Sequence, residues 1–255
     1  MRALAIETAT SIASVGIVVE DQVAAERTLA MRGSHARSLL PLVDTALAAA
    51  GIGLDDLDLL AVSIGPGSFT GLRIGLSVAK GLALATGLPL VGVPTLEAYA
   101  RTAGPRPGLL WPVLDARKGE VYAAAFRWGG AGLERVMGPA TIAPGELARS
   151  VTLPCTLFGD GVDAYRELWR QTLGIAAELI AFAALPPSAA AVARLGAARL
   201  ARTGADDLAV LEPSYCRPSQ AEAGRTAAAD RLACAGGSTA RMPSDNGEKL
   251  TGGRR

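Results

Sequence analysis

Histidine is almost absent from this 255-residue sequence, in which His35 is the only one. A metal site built on two or three imidazoles is therefore excluded, as is a catalytic pair of histidines. The three cysteines, Cys155, Cys216 and Cys234, are too few and too scattered for a disulfide framework, and none belongs to a Cys-x-x-Cys pair. Any metal would have to bind through carboxylates with at most one imidazole.

Net charge is also small, because 25 basic and 24 acidic residues leave a formal charge of +1. This balance gives no electrostatic case for direct nucleic-acid binding. Only 4% of the residues are aromatic while 50% are hydrophobic, so we expect a core of Leu, Val, Ile and Ala. No segment approaches the roughly 18 apolar residues of a membrane span, and the amino terminus is typical of a first strand. We therefore expect a cytoplasmic protein with no membrane contact.

Apolar runs and helical periodicities alternate along the chain and predict an α/β protein of two similar lobes, the second more eroded than the first. The proline- and glycine-rich segment 103–108 is the clearest linker. We therefore assign residues 1–102 to a first lobe and residues 103–217 to a second lobe. Residues 218–255 contain almost no large apolar groups, which predicts a disordered tail.

The best-defined predicted helix covers residues 68–86 and contains a stripe of small side chains. Gly71, Gly75, Ala79 and Ala83 are spaced by four, so they lie on one face of the helix. An interior glycine costs about 1 kcal/mol relative to alanine, which indicates that another backbone approaches this face closely. That backbone belongs either to the same lobe or to a second subunit, and the spacing does not distinguish the two.

Three polar segments are candidates for binding chemistry. The predicted hairpin turn 8–11 carries hydroxyls that suit a phosphate, but it lacks the glycine that close backbone approach requires. Segment 65–71 is glycine-rich and opens a helix, but it is neither a P-loop nor a dinucleotide motif. The charged turn 115–120 is either a ligand site or a solvated turn. His35 is either a switch or base, or a surface residue. No serine or cysteine has a recognisable base partner.

Several segments in this order resemble the TsaB family, also called YeaZ, which takes part in threonylcarbamoyladenosine biosynthesis. The resemblance covers about residues 2–217, and the run from Gly65 to Gly75 is its most specific part. The segments are Leu4–Thr10, His35 with Leu39–Val43, Gly65–Gly75, Ala79–Leu82, Gly92–Glu97, Asp115–Tyr122, Gly159–Gly161 and Pro213–Arg217.

The resemblance implies a two-lobed actin-like, Hsp70-like and sugar-kinase-like fold (ASKHA, RNase H-like). It implies a heterodimer with the catalytic paralogue TsaD, which transfers a threonylcarbamoyl group to N6 of the adenosine beside the anticodon. It also implies a P-loop ATPase, TsaE, as a further partner, contact with tRNA only through the complex, and self-association as an option for the free chain. The paralogue uses a His-x-x-x-His metal site, which a chain with one histidine cannot supply. The resemblance therefore implies an accessory subunit rather than an enzyme.

The resemblance also implies where partners and ligands would bind. The family interface is formed by helices of the first lobe. The predicted interface residues are His35, Leu39, Val43, Ser68, Gly71, Arg73, Gly75 and Ala79. Vestigial nucleotide-binding positions are Glu7, Thr8, Thr10 and Asp115. Position 7 is Glu where this fold usually has Asp, so we expect no cofactor and no metal on the isolated chain, and ATP only at the interface of the complex.

Two enzymatic alternatives remain open at the level of sequence. A phosphotransferase of the sugar-kinase-like fold needs glycine-rich phosphate turns in both lobes and a catalytic Asp, which only segment 159–161 and Asp115 suggest. A protease needs a nucleophile with a base or a metal, and the sequence offers neither constellation.

Overall fold

The computed structural model describes residues 1–30, 35–130 and 132–216, with the backbone alone at residues 35–37. The predicted tail and Ser34, which the sequence suggests as a helix cap, lie outside the described residues.

The first half of the chain forms a five-stranded sheet in the order β3-β2-β1-β4-β5. Strands β3, β2 and β1 are antiparallel neighbours, whereas β1, β4 and β5 run parallel. Apolar residues fill β1 and β4, as expected for central strands that are covered on both faces. The strands are β1 (Arg2–Glu7), β2 (Ile12–Val19), β3 (Gln22–Ala30), β4 (Leu59–Gly65) and β5 (Leu90–Pro94).

Three helices accompany this sheet: α1 (His35–Ala50), α2 (Phe69–Thr86) and α3 (Thr95–Ala103). Helix α2 begins and ends where its local sequence predicts. The Ser68 hydroxyl accepts a hydrogen bond from the Gly71 amide, and Gly87 ends the helix in the left-handed conformation. The hydroxyl of Thr95 does not cap α3 as its position suggested, because it accepts from the Gly65 amide instead.

The second half repeats the same topology. Its sheet has the order β8-β7-β6-β9-β10, again with three antiparallel strands followed by two parallel ones. The predicted erosion of the second lobe therefore spares the number of strands and their order. The strands are β6 (Leu109–Arg117), β7 (Glu120–Gly129), β8 (Gly132–Ile142), β9 (Cys155–Phe158) and β10 (Ala177–Ile180).

Helices of the second half are shorter, apart from the last one. They are α4 (Pro144–Ser150), α5 (Asp160–Ala164), α6 (Arg166–Leu173) and α7 (Ala189–Thr203). No helix within the described parts of the chain has the length and apolar composition needed to cross a membrane.

Helix α7 returns to the first sheet and packs on the face opposite α1 and α2. Its buried alanines, valine and leucine join the apolar residues of β1, β4 and β5 in one cluster. Gly16 allows this approach, since a Cβ there would lie 2.7 Å from the Ala190 amide nitrogen. The Glu26 carboxylate fixes the helix by accepting from the Ser188 hydroxyl and the Ala190 amide. Residues 189–203 thus pack with the first lobe, which corrects the simple division at residue 103.

Helix α3 packs mainly against the second sheet, although it follows a strand of the first. Tyr99 lies edge-on to Phe158 with ring centroids 4.9 Å apart, and its hydroxyl donates to the Leu185 carbonyl. Leu96 and Tyr99 share a buried cluster with Leu110 and Phe158 of the second sheet. The two halves are therefore held together by helix packing as well as by the connecting chain. Helix α3 follows the first sheet but packs on the second, and helix α7 follows the second sheet but packs on the first.

Candidate functional site

Glu7 ends β1 and begins the turn into β2, where its carboxylate is buried. The Ala9 amide donates to Glu7 Oε1 at 2.5 Å, and the Ser63 hydroxyl also hydrogen-bonds the carboxylate. Burial raises the pKa of Glu7 from 4.5 to about 7, because these hydrogen bonds offset only part of the cost of removing a charge from water. The Glu7 carboxylate is therefore hydrogen-bonded within its own chain and stabilises the β1–β2 turn.

The turn lies directly against the start of α2. The Ser68 amide donates to the Ala9 carbonyl at 2.7 Å. A Cβ on Gly71 would lie under 3.0 Å from the Thr8 carbonyl oxygen, and one on Gly75 equally close to Thr8 Oγ1. Only glycine permits this contact, so the glycines of α2 hold the turn closed against the helix.

The polar groups of the turn are used within the chain or are buried. Thr10 Oγ1 accepts from the Ile12 amide at 3.2 Å. Thr8 Oγ1 is buried and has no hydrogen-bond partner among the residues that the structure describes. Glu7, Thr8 and Thr10 are thus brought together as predicted, but in a closed turn whose helix-facing backbone contacts α2 where an anion would bind.

Asp115 belongs to the second sheet, near the end of β6. Its carboxylate pairs with the Arg117 guanidinium at 3.0 Å, and its amide donates to Asp160 Oδ1 at 2.9 Å. Burial and the neighbouring Asp115 charge raise the pKa of Asp160, and the hydrogen bond from the Asp115 amide and the charge of Arg117 partly offset this. Arg117 and Lys118 both adopt positive φ, 63° and 55°. The charged turn is thus ordered by internal pairing.

Five of the predicted interface residues lie inside the first lobe. The residues concerned are Leu39, Val43, Gly71, Gly75 and Ala79. The stripe of α2 faces its own sheet and the β1–β2 turn, because the helix buries its small residues to let the turn approach. This corrects the expectation that the stripe contacts a partner. Ser68 and Arg73 are exposed, and they remain predictions together with His35, whose side chain lies outside the described part of the structure.

An aromatic and cationic cluster was not predicted from the sequence. Phe69 and Tyr215 stack with ring centroids 5.1 Å apart, and the Arg73 guanidinium lies 4.0 Å from the Phe69 centroid. Arg73 Nε also donates to the Tyr215 hydroxyl at 3.0 Å. The spacing of Phe69 and Arg73 places them on one helix face, whereas Tyr215 follows 142 residues later and no local pattern pairs it with them.

Comparison with known proteins gives consistent results. The family model described as TsaD, tRNA N6-adenosine threonylcarbamoyltransferase, matches residues 23–225. A tRNA threonylcarbamoyladenosine biosynthesis protein TsaB from Escherichia coli K12 is 37% identical over 180 residues, which are 68% of this chain and 77% of the relative. The protein of the same description from Bacillus subtilis 168 is 29% identical over 226 residues, covering 88% and 97%.

The fold has a similar counterpart among solved structures. YeaZ from Pseudomonas aeruginosa shares 28% identity with a TM-score of 0.70, covering 84% of this chain and 99% of that one. This likeness and the two sheets of equal topology confirm the expected α/β fold of the actin-like, Hsp70-like and sugar-kinase-like class.

Proposed function

The chain belongs to the TsaB (YeaZ) group of the TsaD-related family, whose members take part in tRNA threonylcarbamoyladenosine biosynthesis, and we propose that it is a non-catalytic partner subunit in that process. It binds and activates a TsaD-type threonylcarbamoyltransferase. The transferase supplies the histidine-based metal site, and this chain supplies a surface for the heterodimer.

The closed β1–β2 turn is the observation that carries this proposal. The glycines of α2 bring the helix against Thr8, and the Ser68 and Gly71 amides, which a phosphate could meet at this helix start, donate to the Ala9 carbonyl and the Ser68 hydroxyl instead. Glu7 is held by the Ala9 amide and the Ser63 hydroxyl. A subunit with this turn closed is suited to contact with a sister subunit and not to phosphoryl chemistry.

A phosphotransferase of the same fold suits these contacts less well. In the second lobe, a Cβ on Gly159 would lie under 3.0 Å from the Val113 carbonyl oxygen, so the start of α5 is also filled by the chain. Asp115, the candidate catalytic carboxylate, pairs with Arg117 and accepts from the Arg117 amide. The start of α5 and the Asp115 carboxylate, which a kinase would use to bind its substrate, thus both contact other parts of this chain.

The remaining partners follow from the same role. A TsaE-type ATPase joins the heterodimer, tRNA is contacted through the complex, and any ATP site lies at the interface between subunits. Self-association through the surface that the transferase would otherwise cover stays an option for the free chain. The isolated chain needs no cofactor or metal of its own.

An omission experiment tests the proposal. tRNA modification is measured with the TsaD-type subunit, the TsaE-type ATPase and a threonylcarbamoyl donor, with and without this chain. We expect modification only when this chain and the TsaD-type subunit are both present, and co-purification of the two.

The reaction that omits the TsaD-type subunit is the control. Modification of tRNA in that reaction would make this chain the transferase and would contradict the proposal. Equal modification with and without this chain, combined with no co-purification, would remove the partner role.

A further inference from the structure

Residues 205–216 follow α7 and lie along the first lobe as an irregular segment that we call the strap. The strap contains no helix or strand. Its side chains are exposed or half-buried except for Leu211, which is buried. Segments with few buried apolar contacts are the ones that open before the rest of a folded chain. The strap is therefore held in place by a small number of identifiable contacts.

The strap first contacts β5, which is the edge strand of the first sheet. The Asp206 amide donates to the Leu90 carbonyl at 2.9 Å, and the Asp206 carboxylate accepts from the Gly92 amide at 2.7 Å. Leu211 then joins the buried apolar cluster of the first sheet. A Cβ on Gly92 would lie 2.9 Å from Leu211 Cδ1, so the strap and β5 are in close contact. These contacts fix the first part of the strap on the sheet.

The end of the strap contacts the chain on both sides of residues 65–68, which we call the connection because they join β4 to α2. Before the connection, the Ser214 amide donates to the Ile64 carbonyl at 2.6 Å. After it, Tyr215 stacks on Phe69, the first residue of α2, with ring centroids 5.1 Å apart. Two successive residues of the strap therefore hold the two ends of the connection.

The same connection packs against the β1–β2 turn. A Cβ on Gly67 would lie 2.5 Å from the Ala9 carbonyl oxygen, and the Ser68 amide donates to that oxygen at 2.7 Å. Closely packed parts of a protein transmit a displacement rather than absorb it. A shift of the connection would therefore break the hydrogen bond between Ser68 and Ala9 and would loosen the turn.

The Tyr215 ring is held by two kinds of contact. It stacks on Phe69, and its hydroxyl accepts from Arg73 Nε at 3.0 Å. The Arg73 guanidinium also lies over the Phe69 ring, 4.0 Å from its centroid. Tyr215 is only half-buried. Removal of its ring therefore weakens the end of the strap without leaving a cavity in the core.

We propose that the strap is a conformational latch for the first lobe: while Tyr215 stacks on Phe69, the strap holds the connection against the β1–β2 turn, and release of the strap lets the turn open. Tyr215 is the positioning residue of this latch. Opening frees the Ser68 amide and the Ala9 carbonyl, so the closed turn depends on the strap as well as on the glycines of α2. The inference concerns the chain by itself and does not rest on the partner role.

A cover for the edge of the sheet is the simpler role for the same segment. Loops commonly cover edge strands, and Asp206 does this for β5 through its bonds to Leu90 and Gly92. An edge cover does not explain why Ser214 and Tyr215 continue beyond β5 to the two ends of the connection. The latch accounts for both sets of contacts.

The test measures amide hydrogen exchange of the full chain, residue by residue, by NMR. Tyr215→Ala removes both the stack and the hydroxyl, so the Ser214 amide should exchange about tenfold faster. The Ser68 and Ala9 amides should exchange faster by a similar factor, because they lose protection in the same opening. The Asp115 amide, which is hydrogen-bonded to a side chain in the second lobe, is the internal control and should keep its rate.

Two further variants show which part of the strap acts as the latch. Tyr215→Phe keeps the stack and loses only the hydroxyl that accepts from Arg73, so it should restore most of the protection and leave the rates within about threefold of the wild type. Val210→Ala removes a side chain of the same strap that is 72% exposed. It is the matched control and should leave every rate unchanged.

Three results of the Tyr215→Ala experiment would overturn the latch. Faster exchange at Ser214 with unchanged rates at Ser68 and Ala9 would reduce the strap to an edge cover. Unchanged exchange at Ser214 would show that Tyr215 does not hold the strap. Equal acceleration at the Asp115 amide would mean a general loss of stability rather than the opening of one turn.

Discussion

The two lobes share one strand order but differ in the helix that follows their fourth strand. In the first lobe α2 (Phe69–Thr86) has 18 residues, whereas its counterpart α5 (Asp160–Ala164) has 5. Each helix begins at a connection that contains glycine. In the first lobe this region contacts the turn between β1 and β2, and in the second lobe it contacts strand β6. Erosion of the second lobe has therefore shortened its helix and left its sheet intact.

The two lobes therefore differ in how the turn is closed and in how much helix surface remains exposed. The short helix α5 also begins with glycines packed against β6, and it adds a side-chain contact, because Asp160 Oδ1 accepts from the Asp115 amide. The long helix α2 closes its turn with glycines and still has an opposite face that remains exposed. Within the described residues, only the first lobe thus combines a closed turn with a long helix that keeps an exposed face.

The largest effect is expected from a single methyl group at the first-lobe turn. Gly71→Ala places a Cβ against the Thr8 carbonyl oxygen, a backbone atom that cannot rotate away. We expect a loss of about 3 kcal/mol in the free energy of unfolding, the upper range for overpacking. Urea denaturation measures this loss.

Two alanine variants provide controls for that loss. Gly161→Ala meets Val113 Cγ1 at 2.8 Å and the Val113 carbonyl oxygen at 3.0 Å, a milder overlap than that at Gly71, so it should cost less, about 1 to 2 kcal/mol. Gly81→Ala meets nothing and should stabilise by up to about 1 kcal/mol. Equal losses for Gly71→Ala and Gly161→Ala would show that the two turns are closed in the same way.

Glu7 should make the first lobe sensitive to pH. Its pKa is raised from 4.5 to about 7 in the folded protein, so the folded state binds the extra proton between these values. Stability due to this group is therefore present at acidic pH and falls as the pH rises through that window. Glu7→Gln should stabilise the protein at pH 8 by up to about 3 kcal/mol, with a smaller gain at pH 5.

Urea denaturation of both proteins at the two pH values measures this difference. Glu7→Gln keeps an oxygen that accepts from the Ala9 amide, so the turn retains its geometry. A constant difference between wild type and variant at both pH values would mean that the Glu7 carboxyl titrates as in the unfolded chain.

Asp160, a buried carboxyl beside the second-lobe turn, should have the smallest effect. Burial and the Asp115 charge raise the pKa of Asp160, and the Arg117 charge opposes part of this rise. The rise in the pKa of Glu7 is opposed by hydrogen bonds alone. Asp160→Asn keeps the acceptor for the Asp115 amide, so the free energy of unfolding should change by about 1 kcal/mol or less. A larger pH-dependent change than that of Glu7→Gln would reverse the ranking of the two turns.

Elements with strong local signals could be predicted from the sequence. Helix α2 was predicted within one residue of its bounds, because Ser68 caps it and Gly87 permits the left-handed conformation that ends it. Strands β8 and β10 and helix α4 were missed. β8 is an exposed edge strand without regular alternation, so the turn correctly predicted at Gly129 and Gly130 was not extended into a hairpin.

The direction in which a helix faces could not be predicted from spacing. The stripe that includes Gly71 and Gly75 has the same period whether it contacts a sheet or a subunit, and only the position of Thr8 decides between them. The pairing of Arg73 with Tyr215 depends on a contact between residues far apart in the chain. The closed turn and the contact between Arg73 and Tyr215 therefore required the tertiary structure.

Calorimetry with ATP and magnesium on the isolated chain tests most directly whether the first-lobe turn is closed. We predict no saturable heat and no turnover, because the Ser68 and Gly71 amides at the start of α2 and the Glu7 carboxylate already form hydrogen bonds within the chain. Saturable binding with hydrolysis by the free chain would contradict the account and would favour a phosphotransferase.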